Sequence, residues 1–327
     1  EELCVLALRL SVNMRGEPLL TSTPVADLDQ GLPQGPLYFP QLVDGGGYQT
    51  ALIFLNTSSV TETGTIRVAD NLGAPLGIRL VGETTATPQW SYGIAPGGYL
   101  RLCTDGTQAM PKTGWVQVIP DPGTATPVGA GVFSYSQGGI LITESGIPSA
   151  TPTTRARIYV DKSNGHDTGL AIGNVQSSTQ QITLSAFQDD GSTVVGMGGL
   201  SLSGRGHDAK FAGQFVAGLP SNFTGVLEIS SPTPFVALSL RSLTNSRGDF
   251  LLTTFPTADA TRAAPRPMMF PQIAAGGGYW TQFIFLNASG SQSGTTLKCL
   301  EDGGFPLLEI WEGQKRGGEP EKQPRVP

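Results

Sequence analysis

Oxygen-bearing side chains recur in one short stretch, residues 161–167 (DKSNGHD). Carboxylate and amide oxygens at near-alternate positions around a glycine suit a hard cation such as Ca²⁺. Asp161, Asn164 and Asp167 are therefore the candidate ligands. The EF-hand pattern is not met, because Gly165 stands at the fifth position and no Glu follows at the twelfth. The same residues also fit a polar, glycine-containing loop without an ion, and the sequence leaves both interpretations open.

Aromatic residues in predicted loops form a second set of candidates. Trp90 and Tyr92 lie in residues 89–93 (QWSYG), just before a Pro-Gly-Gly turn, and Trp280 follows Tyr279 at the start of a predicted strand. Aromatic rings stack on sugar rings and anchor protein partners. Trp90, Tyr92 and Trp280 are therefore the candidate ligand-binding residues, with a polysaccharide or a surface protein as the partner. The same rings also suit a covering role at a domain end or a domain junction.

Residues that usually carry catalysis are scarce. The chain has two histidines, His166 and His207, and three cysteines without the spacing of a zinc site. His166 and Asp167 are neighbours, but adjacent strand residues point to opposite faces, so they do not make an acid–base dyad by themselves. No Gly-x-Ser-x-Gly nucleophile elbow occurs, and the glycine triplets 45–47 and 276–278 lack the Lys-Ser/Thr of a phosphate-binding loop. We therefore expect no enzyme, and no cofactor apart from the candidate Ca²⁺.

The composition favours strands and turns over helices. Glycine (44) and proline (25) are abundant, whereas Asp, Glu, Lys and Arg make up 14% of the chain, against about 25% in an average globular protein. The net charge of −6, with no basic cluster in the part expected to fold, excludes a nucleic-acid partner. No apolar run approaches about 18 residues, so the sequence predicts no membrane span.

An internal repeat is the most informative feature of the chain. Residues 39–56 (FPQLVDGGGYQTALIFLN) and 270–287 (FPQIAAGGGYWTQFIFLN) are identical at 12 of 18 positions, at an offset of 231. The match also extends backwards, since residues 13–21 resemble residues 245–253 at an offset of 232. The chain is therefore expected to begin inside one copy of a repeating unit and to end inside another.

A weaker half-period lies inside the repeat, because residues 50–56 (TALIFLN) resemble residues 168–174 (TGLAIGN) at an offset of 118. We therefore predict two related domains, A and B, flanked by parts of further copies. The predicted segments are the tail of a preceding B domain (1–26), domain A (36–152), domain B (153–258), the incomplete head of a further A domain (266–310) and a charged, disordered tail (311–327).

Alternation of apolar with polar or small residues predicts the strands. Residues 65–69 (TIRVA) and 183–187 (TLSAF) alternate in this way, so one face of each strand meets a core. Both end in hairpin-turn sequences, 70–73 (DNLG) and 188–191 (QDDG), whose Asn, Asp and Gly accept left-handed backbone angles. Closely spaced strands and turns without a convincing helix predict an all-β chain of tandem antiparallel β-sandwich domains.

The repeat resembles bacterial extracellular immunoglobulin-like (Ig-like) or fibronectin-III-like (FnIII-like) modules strung in tandem. The shared features are an Asn that ends a strand (Asn56, Asn287), the hairpin that follows it, a Pro-Gly-Gly lead into a strand, and the Thr-Gly-x-Val strand at 113–116. The resemblance covers most of residues 36–258. It implies β-sandwich domains in tandem, with partial domains at both ends.

Modules of this kind act as spacers, stalks or adhesive units of surface proteins. The resemblance therefore implies a non-catalytic structural or adhesive spacer region, in a secreted or cell-surface protein. Two alternatives stay open. One is a carbohydrate-binding module that uses Trp90 and Tyr92, and the more remote one is a glycan-active hydrolase whose carboxylates meet only in three dimensions.

Overall fold

The structure, a computed structural model, describes residues 4–23, 25–29, 31–263, 267–289 and 291–300. The chain divides into a large unit, Glu1–Ser289, and a small unit, Gly290–Pro327. The disordered tail predicted at 311–327, and residues 301–310 of the predicted A head, lie outside the described residues. In the small unit, residues 291–300 form neither a helix nor a strand element, and all strands below belong to the large unit.

The large unit is built of strands, and its described residues include one helical turn, α1 (Ala212–Phe215). The strands are β1 (Ala7–Val12), β2 (Pro18–Thr23), β3 (Leu37–Asp44), β4 (Tyr48–Leu55), β5 (Glu62–Ala69), β6 (Gln89–Ile94), β7 (Tyr99–Cys103), β8 (Lys112–Pro120), β9 (Val128–Gln137), β10 (Ile140–Pro148), β11 (Thr153–Asp161), β12 (His166–Asn174), β13 (Gln180–Phe187), β14 (Val194–Leu202), β15 (His207–Phe211), β16 (Thr224–Thr244), β17 (Phe250–Phe255) and β18 (Ala258–Asp259). The prediction of an all-β chain with antiparallel sheets is confirmed. No helix among the described residues has the length and apolar character needed to cross a membrane.

Two strand sets follow each other along the chain with the same strand order. Strand set A (β3–β10) forms two four-stranded sheets, ordered β3-β8-β5-β6 and β10-β9-β4-β7. In strand set B (β11–β17), the corresponding orders are β11-β16-β13-β14 and β17-β16-β12-β15. The long strand β16 occurs in both orders, because its first part pairs with β11 and β13 and its second part pairs with β12 and β17. It therefore takes the positions that β8 and β9 hold in set A.

The predicted alternation places apolar side chains between the two sheets of set A. Ile66 and Val68 in β5 are 0% and 2% exposed, whereas Arg67 between them faces solvent. They join Phe39 and Phe54, from β3 and β4, in one buried cluster. Burial of such apolar surface is the main source of stability for a sheet-built core.

One sheet of set B has apolar residues on both faces. In β12, Leu170 and Ile172 belong to the core of set B, whereas Ala171 between them belongs to the core of set A. In β16, Leu238 likewise packs in the core of set A and Ala237 in that of set B. A strand buried on both faces carries a continuous apolar run, as residues 170–172 and 235–238 do. The two strand sets therefore share their buried surface.

The same small hairpin clamp occurs in three segments of related sequence. The hydroxyl of Thr50 accepts a hydrogen bond from the Val43 backbone N–H (3.1 Å) and donates one to the Val43 carbonyl (2.7 Å). Thr281 makes the same two bonds with Ala274 (3.1 and 2.9 Å), and Thr168 makes them with Asp161. Each clamp joins two residues that are seven positions apart, so the local sequence of the hairpin is enough to determine it.

The N-terminal hairpin (β1–β2) packs against β10 of set A. Glu144 in β10 accepts from Arg9 (2.6 Å) and from the Ser11 hydroxyl (2.7 Å), and the Thr21 hydroxyl accepts from the Gly146 N–H (2.5 Å). Strand β17 of set B also packs on β10, through side-chain hydrogen bonds such as that between Ser145 and Thr254 (2.9 Å). Strand β10 therefore lies against both hairpins.

The two hairpins that flank β10 correspond to each other in the 232-residue repeat, and their turns are joined by reciprocal ion pairs. Arg15 in the first turn pairs with Asp249 in the second (2.9 Å), and Arg247 in the second pairs with Glu17 in the first (2.5 Å). Since Arg15 corresponds to Arg247 and Glu17 to Asp249, each turn supplies the same two charges. This contact is self-complementary between copies of one sequence motif.

Thr50→Val is expected to lower the free energy of unfolding by about 1–3 kcal/mol, because the isosteric valine leaves the Val43 backbone groups without partners in a buried site. Thr281→Val is the matched control. It removes the same two bonds where the side chain is only half-buried, and we expect a loss below about 0.5 kcal/mol. Urea unfolding measures both, and equal losses would contradict the argument from burial.

Candidate ligand-binding surfaces

The carboxylate of Asp161, the first predicted calcium ligand, is already fully engaged. Oδ1 accepts hydrogen bonds from the backbone and the hydroxyl of Ser163 (2.9 and 2.7 Å), and Oδ2 accepts from Arg241 (2.6 Å). Burial alone would raise the pKa of Asp161, but the Ser163 hydrogen bonds and the Arg241 guanidinium hold it below its ordinary value. The positive partner of this carboxylate in the structure is therefore an arginine.

The loop that carries the other two predicted ligands is a two-residue hairpin turn between β11 and β12. Asn164 (φ 51°) and Gly165 (φ 78°) both have positive φ, which is typical of the type I′ turn formed by Asn-Gly. Gly46–Gly47 and Gly277–Gly278 repeat these angles. The Asp167 carboxylate accepts from the Thr168 N–H (2.8 Å). In the described part of the chain no three His, Cys, Asp or Glu side chains cluster as a metal site would require, and calcium binding stays a prediction.

Trp90 and Tyr92 lie in β6 at the edge of a set A sheet. Trp90 is half-buried and packs against the set A core, and Tyr92 is a member of that core at 6% exposure. A ring at that exposure offers no face to a sugar, so the structure supports the covering role for Tyr92 rather than the stacking role.

Tyr92 lies near a buried carboxyl group. Glu62 in β5 is 0% exposed, and neither its carboxyl oxygens nor the Tyr92 hydroxyl has a hydrogen-bond partner in the described residues. Burial, with the nearby Glu62 and Asp121 carboxylates, raises the pKa of Tyr92 to about 12. Burial also raises the pKa of Glu62.

The corresponding position in set B holds an amide in place of this carboxyl group. Gln180 donates through Nε2 to the Thr233 carbonyl (2.6 Å) and to the Ser231 hydroxyl (3.0 Å). An amide can make these bonds without burying a charge, whereas an ionised Glu62 cannot avoid that cost. We therefore regard Glu62 as a destabilising group at neutral pH.

Trp280 is the predicted ligand residue whose ring is open to solvent, at 74% exposure, beside Tyr279 at 61%. It belongs to the aromatic segment (268–289), in which the described residues form no strand beyond the Gly276–Tyr279 bridge. Phe270, Phe283 and Phe285 form an exposed cluster there, with ring centroids 5.0–6.4 Å apart. These rings correspond to Phe39, Leu52 and Phe54, which are buried in set A.

Trp115 in β8 lies at the junction of the two strand sets and is 2% exposed. Its ring stacks on Tyr38 (centroids 5.8 Å apart) and its Nε1 donates to the Arg205 carbonyl of set B (2.9 Å). At Gly173 in β12, a Cβ would lie 3.1 Å from the indole ring. The close approach of the two sets at this point therefore depends on that glycine.

His207 in β15 contacts polar side chains of set A at the same junction between the two strand sets. Nε2 lies 2.9 Å from the Gln41 side-chain oxygen and Nδ1 lies 3.0 Å from that of Asn71. Burial lowers the pKa of His207 to about 4, so the ring is neutral at pH 7. A neutral imidazole donates through one nitrogen and accepts through the other, so one of the two amides presents its nitrogen to the ring. This histidine has a joining role and has no free nitrogen for acid–base chemistry.

A cleft of about 350 Å³ opens beside Trp115, between the two strand sets. Gln117, Arg67 and Gln89 are register partners on β8, β5 and β6 and form one polar row along its floor. Arg205 of set B extends this row by donating to the Gln117 side-chain oxygen (3.3 Å).

The sequence predicted none of the residues of this cleft as a site. The alternation in residues 65–69 showed that Arg67 faces away from the core, but not what stands opposite. Arg205 is about 90 residues from Trp115, and only the packing of the two sets brings them together. The sequence signal that could have indicated Arg205 is in residues 203–207 (SGRGH), where an arginine stands between two glycines.

No protein family, curated protein or solved structure matches the chain. The chemistry of the candidate surfaces therefore rests on their own geometry.

Glu62→Gln is expected to stabilise the protein increasingly as the pH rises. Because the folded-state pKa of Glu62 is raised, the folded protein holds this proton more tightly, and its stability falls as pH rises through that pKa. We expect the gain in unfolding free energy to be about 1 kcal/mol or more larger at pH 8 than at pH 4. Glu83→Gln, at an exposed position, is the control, and a gain that is equal at both pH values would contradict this assignment.

Proposed function

We propose that this chain is a non-catalytic structural and adhesive spacer region of a secreted or cell-surface repeat protein. Its strand sets would then be tandem Ig-like or FnIII-like β-sandwich domains, corresponding to the predicted domains A and B. The observation that carries the proposal is the continuous buried contact between the two sets, through Ala171, Leu238 and Trp115.

A stiff connection supports the spacer role. Only residues 149–152 separate β10 from β11, and the sheet that contains β12 and β16 is buried on both faces. Relative domain motion is the usual expectation unless the interface is large and apolar. With Trp115, Ala171 and Leu238 at the junction, we expect the two sets to move together and to hold a fixed distance between their outer ends.

The contact between corresponding hairpins supports the repeat-array role. The reciprocal pairs Arg15–Asp249 and Arg247–Glu17 join two copies of the same motif. Ion pairs at a partly exposed surface add little stability in water, but their sign pattern selects one register over another. Repetition of such a contact would align successive units without any additional linker sequence.

Trp115→Ala is expected to separate the two strand sets. The change removes a fully buried indole at the junction, and we expect a loss of about 3–5 kcal/mol in the free energy of unfolding. In calorimetry we expect one transition for the wild-type chain and two for Trp115→Ala. Trp280→Ala is the matched control, since that ring is mostly exposed, and its effect should stay within about 0.5 kcal/mol. A single unchanged transition in Trp115→Ala would contradict the stiff junction.

Carbohydrate binding is the second candidate function, and the exposure of Trp280 favours it. A flat exposed indole beside an exposed tyrosine can stack on a polysaccharide chain. Affinity electrophoresis of the full chain through polysaccharide gels tests this directly. We expect retardation by at least one polymer and its loss in Trp280→Ala. Retardation that survives this change, or none with any polymer, would remove Trp280 from the candidates.

A further inference from the structure

We propose that the cleft between the two strand sets binds an acidic saccharide, a uronic acid, through its carboxylate. This site is separate from Trp280 and adds a specific ligand that the spacer role does not require. Its volume, about 350 Å³, lies at the lower end of the range of about 300–1,000 Å³ typical of small-molecule sites.

Two arginines, Arg67 and Arg205, line this cleft without a carboxylate partner. Among the described residues, neither Arg67 nor Arg205 forms an ion pair, although the chain as a whole is acidic. Arg67 is the register partner of Gln117, and Arg205 donates a hydrogen bond to the Gln117 side-chain oxygen. A carboxylate bound in the cleft would supply the ion-pair partner that both arginines lack.

Arg205 has a backbone conformation that favours glycine, so the presence of an arginine there points to a role for its side chain. Its φ is 61°, in the left-handed region that few residues other than glycine adopt. Its two neighbours are Gly204 and Gly206, so a third glycine would remove this strain. Left-handed non-glycine residues concentrate at functional sites. The guanidinium that faces the cleft accounts for an arginine at this position.

The remaining lining fits a sugar better than a bare anion. The amides of Gln89 and Gln117 each offer donors and an acceptor for ring hydroxyls. Pro75 and Pro88 line the cleft with apolar surface, against which the C–H face of a pyranose can pack. Carboxylate, hydroxyls and an apolar face together describe a uronic acid. A phosphate polymer would instead require a longer row of cations.

Calorimetric titration of the full chain with digalacturonate at low salt tests the proposal. We expect binding that weakens with added salt, because the contact is ionic, and no binding of the neutral disaccharide galactobiose. Arg67→Gln should weaken the affinity about tenfold or more, as expected for the loss of a hydrogen bond to a charged group. Arg101→Gln is the matched control. It removes an exposed arginine from β7 in the other sheet of set A and should leave the affinity unchanged.

Arg205→Gly separates binding from folding. Glycine accepts the left-handed backbone and keeps the carbonyl that Trp115 contacts, so the melting temperature should hold or rise while the affinity falls. Absence of digalacturonate binding, or equal affinities in Arg67→Gln and Arg101→Gln, would overturn the proposal. Competition by inorganic phosphate as strong as that by digalacturonate would also overturn it, because the site would then recognise charge alone. None of these outcomes alters the test of the stiff junction, which depends on Trp115.

Discussion

The burial of Trp115 between the two strand sets is the interaction on which the other features depend. Its ring is stacked on Tyr38 from set A and covered by Gly173 from set B. The indole also fixes the Arg205 carbonyl, and thereby the turn that sends the Arg205 guanidinium towards the cleft. The same residue therefore joins the two sets and forms one wall of the candidate site. A spacer role and a binding role are compatible here because one contact supports both.

Corresponding positions of the two strand sets hold polar residues in different environments. Gln180 in set B donates to Ser231 and Thr233 of β16, where the register between β16 and β11 shifts. Glu62 in set A has no hydrogen-bond partner among the described residues. Set A has two separate strands where set B has the continuous β16, so the carbonyls that Gln180 uses have no direct counterpart beside Glu62. Equivalent positions in a repeat therefore need not share an environment, and a functional role inferred for one copy does not transfer to another by alignment alone.

Much of the fold could be predicted, whereas most of the candidate site could not. The alternation in 65–69 placed Ile66 and Val68 in a core and Arg67 outside it, as the structure shows. Periodicity reports which face of a strand is buried, but it does not report which strand or domain lies opposite. For this reason the sequence left both a stacking role and a covering role open for Tyr92, which the structure places in the core, and it did not indicate the Arg67–Arg205 cleft. The sequence around Asp161 also gave no sign that Arg241 is its ion-pair partner, because the two residues are 80 positions apart.

Comparison of the three related hairpins shows which features the local sequence determines and which depend on the tertiary structure. The positive φ angles of Gly46–Gly47, Asn164–Gly165 and Gly277–Gly278 agree, and each threonine clamp spans seven residues. These features involve only neighbouring residues, so the local sequence determines them in every copy. Residues 39–56 nevertheless form buried strands, while residues 270–287, identical to them at 12 of 18 positions, form none and expose most of their aromatic rings. Strand pairing and burial require partners from distant parts of the chain, and only the tertiary structure supplies them.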